Sequence, residues 1–564
     1  MNSKPSYFHR GGETSLLGQT IPQRFGEVVS RYPEQQAVVS LPQNQSITYQ
    51  QFSEKIDAVA KGLLAFEFKP GDRIGIWSTN NIEWLIVQMA TARIGVILVN
   101  INPANRPPEL AYALKRSEVQ GLFLIPAFRS SDYVEILAEQ APELKSHSPA
   151  LKSATFPQLN RVIVYDPQNS LETKRPYPGF TLWQELIEAG RHITNADLEA
   201  IAASLDFDDP INIQYTSGTT GSPKPVVLSH HNILNNAYFT AQEMSFGSSD
   251  SLCVPVPFYH CFGMVLANLV CFSVGAKLVI PSEHFDPLLT LQAIEKEECS
   301  ALHGVPTMFI AQLEHPSFGN FKLESLRTGI MAGAPCPAEL MKRVIDEMHC
   351  ENILIGYGQT EASPLTHLTT ADDSFERRIH TVGKNLPHQE VKIISTETGK
   401  IQPIGEIGEI CFRGHHVMLE YYKDKEATDS TLDQKGWLHS GDLGTMDKDG
   451  YVRITGRLKE MVIRGGENIY PAEIEEVIFN HPEVEQVAVF GIPDAYFGEE
   501  LVAWVRLKQG GQLNEQALRE HCLDHLAHFK IPKTIQFVDT FPMTVTGKLQ
   551  KFKMRELTIS QNNK

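Results

Sequence analysis

Short apolar runs alternate with helix-like patterns through the first two hundred residues, and this alternation limits the fold more than any other feature of the chain. Arg73–Trp77 and Val96–Asn100 have the length and unbroken apolar character of strands buried on both faces. Between them, Ile82–Arg93 places Leu85, Ile86, Met89 and Ala90 at the spacing of an amphipathic helix. Val119–Ile125 and Arg161–Tyr165 read as further strands. Strand, helix and strand in this order build βαβ units and a mostly parallel sheet, so the expected class is α/β. Residues 129–158 are weakly patterned, carry Ser and Pro, and are expected to form a surface insertion.

The last hundred residues differ. Pro471 can open a helix with Ile474, Val477 and Ile478 on one face. Strand-like Val484–Phe490 and Leu501–Leu507 follow, then a helix near Leu513–Leu526 and a strand at Thr534–Val538. This is a small α+β unit, and the expected domains are 1–456 and 457–564.

Against 50 Lys and Arg stand 67 Asp and Glu, so the net charge is 50 − 67 = −17. A chain this acidic is a poor ligand for nucleic acid or an anionic membrane, and any anionic substrate must be held by local positive potential. None of the eight cysteines forms a C-x-x-C pair and most lie in apolar stretches, which predicts buried free thiols in a reducing, cytoplasmic setting. Residues 1–23 lack an apolar core of the signal-peptide kind. Ser251–Ala276 carries no Asp, Glu, Lys or Arg, but Pro255, Pro257, His260 and Asn268 interrupt it, so buried core with a functional loop is expected and a membrane span is not.

The most informative segment is Tyr215-Thr-Ser-Gly-Thr-Thr-Gly-Ser-Pro-Lys224, which follows a plausible strand at Ile211–Gln214. Gly218 and Gly221 permit tight turns and close approach of backbone to a ligand. Thr216, Ser217, Thr219, Thr220 and Ser222 supply hydroxyls, and Lys224 adds a point charge suited to phosphate oxygens. A lone glycine loop would read as a plain surface turn. Five hydroxyl residues, two glycines and a lysine in ten positions favour capture of a polyphosphate. No G-K-[ST] follows at Walker spacing, so a P-loop kinase or GTPase is disfavoured.

The segment resembles the phosphate loop of the adenylate-forming superfamily: acyl-CoA synthetases, luciferases and peptide-synthetase adenylation domains. Further matches come in that family's order: Pro257-Phe-Tyr-His-Cys-Phe-Gly263, Ala332-Gly-Ala-Pro335, Gly356-Tyr-Gly-Gln-Thr-Glu361, Trp437-Leu-His-Ser-Gly-Asp442, Gly456-Arg-Leu-Lys-Glu-Met-Val-Ile-Arg-Gly-Gly466 and Thr546-Gly-Lys548. The stretch Ile463–Glu473 most resembles acyl-CoA synthetases acting on fatty acids of middling length. The resemblance implies a large N-terminal domain of mixed and parallel sheets flanked by helices, with a small mobile C-terminal domain that turns about a hinge near Lys459.

It also implies roles. Glu361, with Thr220, would hold Mg²⁺, which suits hard oxygen ligands. Residues Thr216 to Lys224 (Pro223 included), Gly333, Ala334, Pro335, Gly358, Gln359 and Thr360 would enclose ATP. Tyr357 would pack on adenine, Asp442 would accept both ribose hydroxyls and Arg457 would support the same ribose. Lys548 would bridge the substrate carboxylate and the α-phosphate. His260 would flank the carboxylate and gate the acyl tunnel, a reading that competes evenly with a packed core histidine. Gly465 and Gly466 would let the pantetheine arm of coenzyme A pass close to backbone. One departure stands out: the family carries Gly after the loop lysine and this chain has Pro225. Proline fixes φ and removes an N–H. ATP binding is weakened if that N–H grips phosphate and unaffected if it only marks the loop's exit.

The function expected is an ATP-dependent acyl-CoA synthetase forming acyl-CoA, AMP and pyrophosphate through an acyl-adenylate, with medium-chain fatty acids as substrates. An aryl- or small-acid ligase, and a nucleotide-binding sensor with impaired catalysis, are the alternatives. A homodimer is left open.

Overall fold

The computed structural model describes residues 4–146, 150–168, 175–216, 223–464, 467–494, 496–543 and 549–562. Among these, an eight-stranded sheet carries Arg73–Trp77 beside Ile97–Ile101 and Gly121–Leu124, all parallel. The parallel run extends through Arg161–Val164 to Thr181–Leu182 on one side and to Pro210–Tyr215 on the other. Pro225–Ser229 and Glu420–Tyr421 then close that edge antiparallel, making the sheet mixed. Helix Ile82–Arg93 connects two neighbouring parallel strands, as a βαβ unit requires.

That helix is not amphipathic in place. Every residue from Ile82 to Ala92 except Glu83 is buried, because helices Ile21–Arg31 and Tyr49–Ala65 pack on it and the 264–269 segment closes over it. Its polar position Gln88 is satisfied across that layer, donating to Met264 O (3.3 Å) and accepting from Asn268 Nδ2 (2.9 Å).

The described residues of 129–158 pack their apolar side chains into the main core and do not form a surface insertion. Tyr133–Gln140 is a helix capped by Asp132, and Tyr133, Leu137, Leu144, Leu151 and Phe156 are buried. The Tyr133 ring stacks on Trp77 with centroids 3.5 Å apart, and its hydroxyl donates to Pro103 O. The helix has only eight residues, too few to establish a period in sequence, and its apolar anchors stand singly between Ser and Pro. Tyr133→Ala should therefore destabilise the protein by about 3–5 kcal/mol, as loss of a buried ring does. Denaturant unfolding reads this directly, and a loss below about 1 kcal/mol would return the segment to the surface.

A second, nine-stranded sheet contains the parallel order Lys277–Ile280, Ser251–Cys253, Ala301–Gly304, Thr328–Ala332 and Asn352–Gly358. From Ser251–Cys253 the chain first goes to one side and then crosses back to the other. Such a switch point opens a crevice beyond the carboxyl ends of the strands. A five-stranded antiparallel sheet, ending in Leu438–Met446 and Val452–Arg457, completes this body. Ser251–Ala276 is a buried strand, loop and short helices, and no helix among the described residues is long and apolar enough to cross a membrane.

The C-terminal domain is separate. Helix Pro471–Phe479 packs on the hairpin Val484–Asp494 and Gly498–Leu507, with Glu515–His525 and Thr534–Phe537 completing a core of its own. The chain leaves the third sheet at Arg457 and joins the C-terminal sheet at Val462, and the single 3₁₀ turn Leu458–Glu460 connects the two.

Candidate functional site

The sequence motifs converge at the carboxyl ends of the second sheet. Cys253 leads into the loop containing His260, Ala332 into Gly333–Pro335, and Gly358 into Gln359–Glu361. Ala332 and Gly356 are cross-strand partners, so the latter two turns are neighbours. Gly333 has φ +88°, a left-handed turn that a glycine adopts without strain. At Gly358 a Cβ would lie 1.8 Å from the Pro364 carbonyl oxygen, so the backbone crosses too closely for any side chain. Gln359 N–H donates to that same carbonyl (2.9 Å), and Thr360–Ala362 forms a 3₁₀ turn that presents Glu361.

Glu361 is held from both ends. Its carbonyl accepts from Met418 N–H (2.9 Å) and its Oε1 accepts from the Tyr421 hydroxyl (2.7 Å). Lys224 Nζ lies 4.6 Å from the centre of the Tyr421 ring. Loop lysine and acid, 137 positions apart in sequence (361 − 224), thus meet across one tyrosine. Among the described residues the Glu361 carboxylate has no ion-pair partner, and a hard anionic oxygen held by a neutral tyrosine hydroxyl fits a Mg²⁺ ligand.

The flanks of the phosphate loop are pinned together. Thr216 N–H donates to Lys224 O (3.0 Å), Lys224 N–H to Thr216 Oγ1 (3.1 Å), and the Tyr112 hydroxyl to Pro223 O (3.0 Å). Pro225 opens the next strand opposite Tyr215. Its carbonyl accepts from Tyr422 N–H (2.8 Å). The nitrogen and oxygen of one strand residue face the same neighbour, so the donor that proline lacks is directed at Tyr422 and away from Thr216. The first residue of a strand is also where proline is tolerated.

Asp442 arises from the third sheet at an irregularity of the ladder. Leu443 pairs with Glu409 and His439 with Cys411, so Ser440, Gly441 and Asp442 bulge out between them. Ser440 Oγ donates to Ile410 O (2.6 Å) and Gly441 N–H to Glu409 Oε1 (3.1 Å), which fixes the bulge. The buried Asp442 carboxylate accepts from the Tyr357 hydroxyl on Oδ2 (2.6 Å) and from Arg457 Nε on Oδ1 (2.9 Å). Burial pushes its pKa up, and the half-exposed Arg457 guanidinium opposes that shift. A carboxylate has about four acceptor positions, so each oxygen keeps one for a ligand hydroxyl. The Tyr357 ring lies against His367 and Phe412.

His260 caps the short helix that follows it, its Nδ1 accepting from Phe262 N–H (3.1 Å), which places the proton of the neutral ring on Nε2. Phe262 is buried against His303. The sequence reading missed what grips this loop. Buried Asn80 donates to Val256 O and accepts from Phe258 N–H (2.9 Å each), and Asn100 donates to Tyr259 O (3.0 Å). Asn212 in turn donates to Asn100 Oδ1 (3.0 Å). Asn100 and Asn212 lie on strands of the first sheet and Asn80 follows the strand Arg73–Trp77 out of it, so the two sheets share the loop. For Asn100 and Asn212 the available signal was a lone asparagine in an apolar strand, which marks the residue but not its partner. Tyr421 was missed as well.

Lys459 sits in the 3₁₀ connection, exposed. Ser217, Gly218, Thr219, Thr220, Gly221, Ser222, Gly465, Gly466 and Lys548 lie outside the described residues. Seven of the eight cysteines are buried free thiols and Cys336 is partly exposed.

Three sheets thus bring a lysine, two carboxylates and two tyrosines toward one another, which is the arrangement of a nucleotide-handling enzyme. The pattern of the AMP-binding enzyme family matches residues 25–422, and that of its C-terminal domain matches residues 473–548. The chain belongs to this family of AMP-binding enzymes, within its acyl-CoA synthetase and ligase members. YngI of Bacillus subtilis (strain 168), named as an acyl-CoA synthetase, is 48% identical over 549 residues, 97% of this chain and 98% of that one. The mitochondrial medium-chain acyl-CoA ligase ACSF2 of Danio rerio is 41% identical over 559 residues, 99% and 91% of the two chains. The crystal structure of ATP-bound MatB from Rhodopseudomonas palustris is similar with a TM-score of 0.78 at 28% identity, covering 95% of this chain and 98% of that one.

Proposed function

We propose that this enzyme is an AMP-forming acid–thiol ligase of the cytoplasm whose substrates are medium-chain fatty acids, ATP and coenzyme A. The single observation that supports this most is the junction of Lys224, Tyr421 and Glu361 beside the Asp442–Tyr357–Arg457 cluster. One set suits a triphosphate and the other a ribose. Medium chain length rests on the name of the ACSF2 relative and on the apolar run Phe262–Leu266, which is buried next to the His260 loop.

Glu361 and Thr220 would hold Mg²⁺, which supplies neutralisation of the triphosphate charge. Asp442 orients the ribose through its hydroxyls, with Arg457 and Tyr357 holding the carboxylate in place. A carboxylate oxygen of the fatty acid attacks the α-phosphorus and pyrophosphate leaves, with Lys548 between the two anions. The C-terminal domain then turns about Lys459, withdrawing Lys548 and bringing the Gly465–Gly466 backbone to the site. The thiolate of coenzyme A attacks the adenylate carbonyl carbon, and AMP departs with the oxygen that had joined it to the acyl group.

Pyrophosphate release measured over saturated acids of graded length, with aromatic and small acids beside them, tests the reading. kcat/KM should peak at medium length. A peak among aromatic or short acids would move the substrate class, and acid-independent behaviour would remove the ligase reading.

The proline of the phosphate loop gives a further expectation. Because its missing donor faces Tyr422, Pro225→Gly should leave the KM for ATP equal or lower. It should also lower stability by about 0.4–1 kcal/mol through added freedom of the unfolded chain. Steady-state kinetics with a thermal melt check both, and a clear rise in KM would mean that the ring itself shapes the loop.

A further inference from the structure

Among the described residues, one cluster of metal-binding side chains stands apart from the acid at Glu361. Glu409 and Cys411 are two apart on the strand Gly408–Gly414 and therefore share a face. His439 is the cross-strand partner of Cys411. His439 Nδ1 lies 2.9 Å from Glu409 Oε2 and 3.7 Å from Cys411 Sγ, and the three donor atoms all fall within 4.8 Å of one another. Cys411 is fully buried, whereas the His439 side chain is 30% exposed, so the cluster has a floor and an opening.

We propose that Glu409, Cys411 and His439 form a binding site for one divalent cation of the Zn²⁺ or Co²⁺ class. The donor set is one thiolate sulfur, one imidazole nitrogen and one carboxylate oxygen, which suits a borderline-soft ion and not Mg²⁺. Tetrahedral bonds of about 2.0–2.3 Å place ligand atoms about 3.3–3.8 Å apart. The His439–Cys411 separation of 3.7 Å falls in that range and the His439–Glu409 separation of 2.9 Å lies just below it, so an outward shift of the Glu409 carboxylate by about half an ångström completes three corners and leaves the fourth for water. The far nitrogen of His439 faces the Asp433 carboxylate at 3.9 Å, the kind of outer partner that orients a ligating imidazole. Lys392, opposite Cys411 on the next strand, is drawn aside over the Trp437 ring at 4.2 Å. Binding displaces the thiol proton of Cys411 to solvent and forms the sulfur–metal bond.

The site lies at the foot of the bulge that presents Asp442, because Glu409 Oε1 also holds Gly441 N–H. Its existence does not depend on which acid the enzyme activates.

The full-length protein, freed of metal and kept reduced by a phosphine, can be titrated with Co²⁺. One ion should bind per chain, with a thiolate-to-cobalt charge-transfer band and tetrahedral ligand-field bands. Cys411→Ser should lose the charge-transfer band while keeping acid-dependent pyrophosphate release within twofold. His439→Gln should weaken binding at least about tenfold, since even outer partners of metal ligands are worth 10–100-fold. An octahedral spectrum without charge transfer, or a band that survives Cys411→Ser, would overturn the proposal. Should Cys411→Ser fail to fold, His439→Gln decides alone: unchanged Co²⁺ affinity in that variant rejects the site.

Discussion

Replacing Lys548 by alanine should slow formation of the acyl-adenylate by at least about a hundredfold, the range found when one preorganised transition-state donor is removed. The reason is electrostatic. A carboxylate must approach an α-phosphate inside a protein of net charge −17, and the two anions repel. One ammonium about 4 Å away contributes about 4 kcal/mol at an effective dielectric near 20, before desolvation is counted. The flanks of Thr546-Gly547-Lys548 are anchored in a way that suits this task. Gln550 N–H donates to Pro542 O (2.8 Å), and Lys551 pairs with Glu475 (2.8 Å) and Glu460 (3.1 Å). Glu460 follows Lys459 directly, so the Lys551 ion pair ties this flank to the connection about which the domain is proposed to turn. Thioester formation from supplied acyl-adenylate should be largely spared in Lys548→Ala. Single-turnover measurement of each half-reaction separates the two, and equal losses in both would contradict the assigned role.

Asp442→Ala should lower kcat/KM for ATP by at least about thirtyfold, or roughly 2 kcal/mol, the lower end of what truncating one partner of a buried charge pair costs. The variant removes the acceptor proposed for ribose and also leaves the Tyr357 hydroxyl and Arg457 Nε without their shared partner. Asp442→Asn keeps the volume but offers only one acceptor oxygen, so its loss should fall between wild type and alanine. The loss should appear for ATP and not for the fatty acid. Initial-rate kinetics with each substrate varied in turn will distinguish them. A change confined to the fatty acid KM would place Asp442 elsewhere in the cycle.

Much of the fold was legible because its strands are short, apolar and separated by strong turn signals. Arg73–Trp77 and Ile82–Arg93 have the same bounds in the sequence reading and in the structure. The amphipathic reading of that helix failed because periodicity counts Gln88 and Thr91 as outward-facing. Only the packed 264–269 segment, distant in sequence, gives Gln88 its partners. Residues 129–158 failed for a related reason, since a two-turn helix and isolated Leu and Phe carry no repeat to detect. The glycine-rich motifs were readable because their turns demand particular residues locally, as Gly333 and Gly358 do. Tyr421, Asn80, Asn100 and Asn212 were not, because each acts on a partner from another sheet or strand and its neighbours in sequence say nothing about that partner. The proline after the loop lysine was visible in sequence, but the direction of its missing donor needed the strand register.

In the proposed reaction the enzyme joins a carboxylate oxygen to the α-phosphorus of ATP before the thiol attacks. A medium-chain fatty acid labelled with ¹⁸O in both carboxylate oxygens tests this directly by mass spectrometry of the nucleotide product. With Mg·ATP and coenzyme A present, AMP should carry one label for each acyl-CoA formed, because the bridging oxygen leaves with phosphorus when the thiolate takes the carbonyl. Unlabelled AMP, or ADP and phosphate in place of AMP and pyrophosphate, would contradict the account.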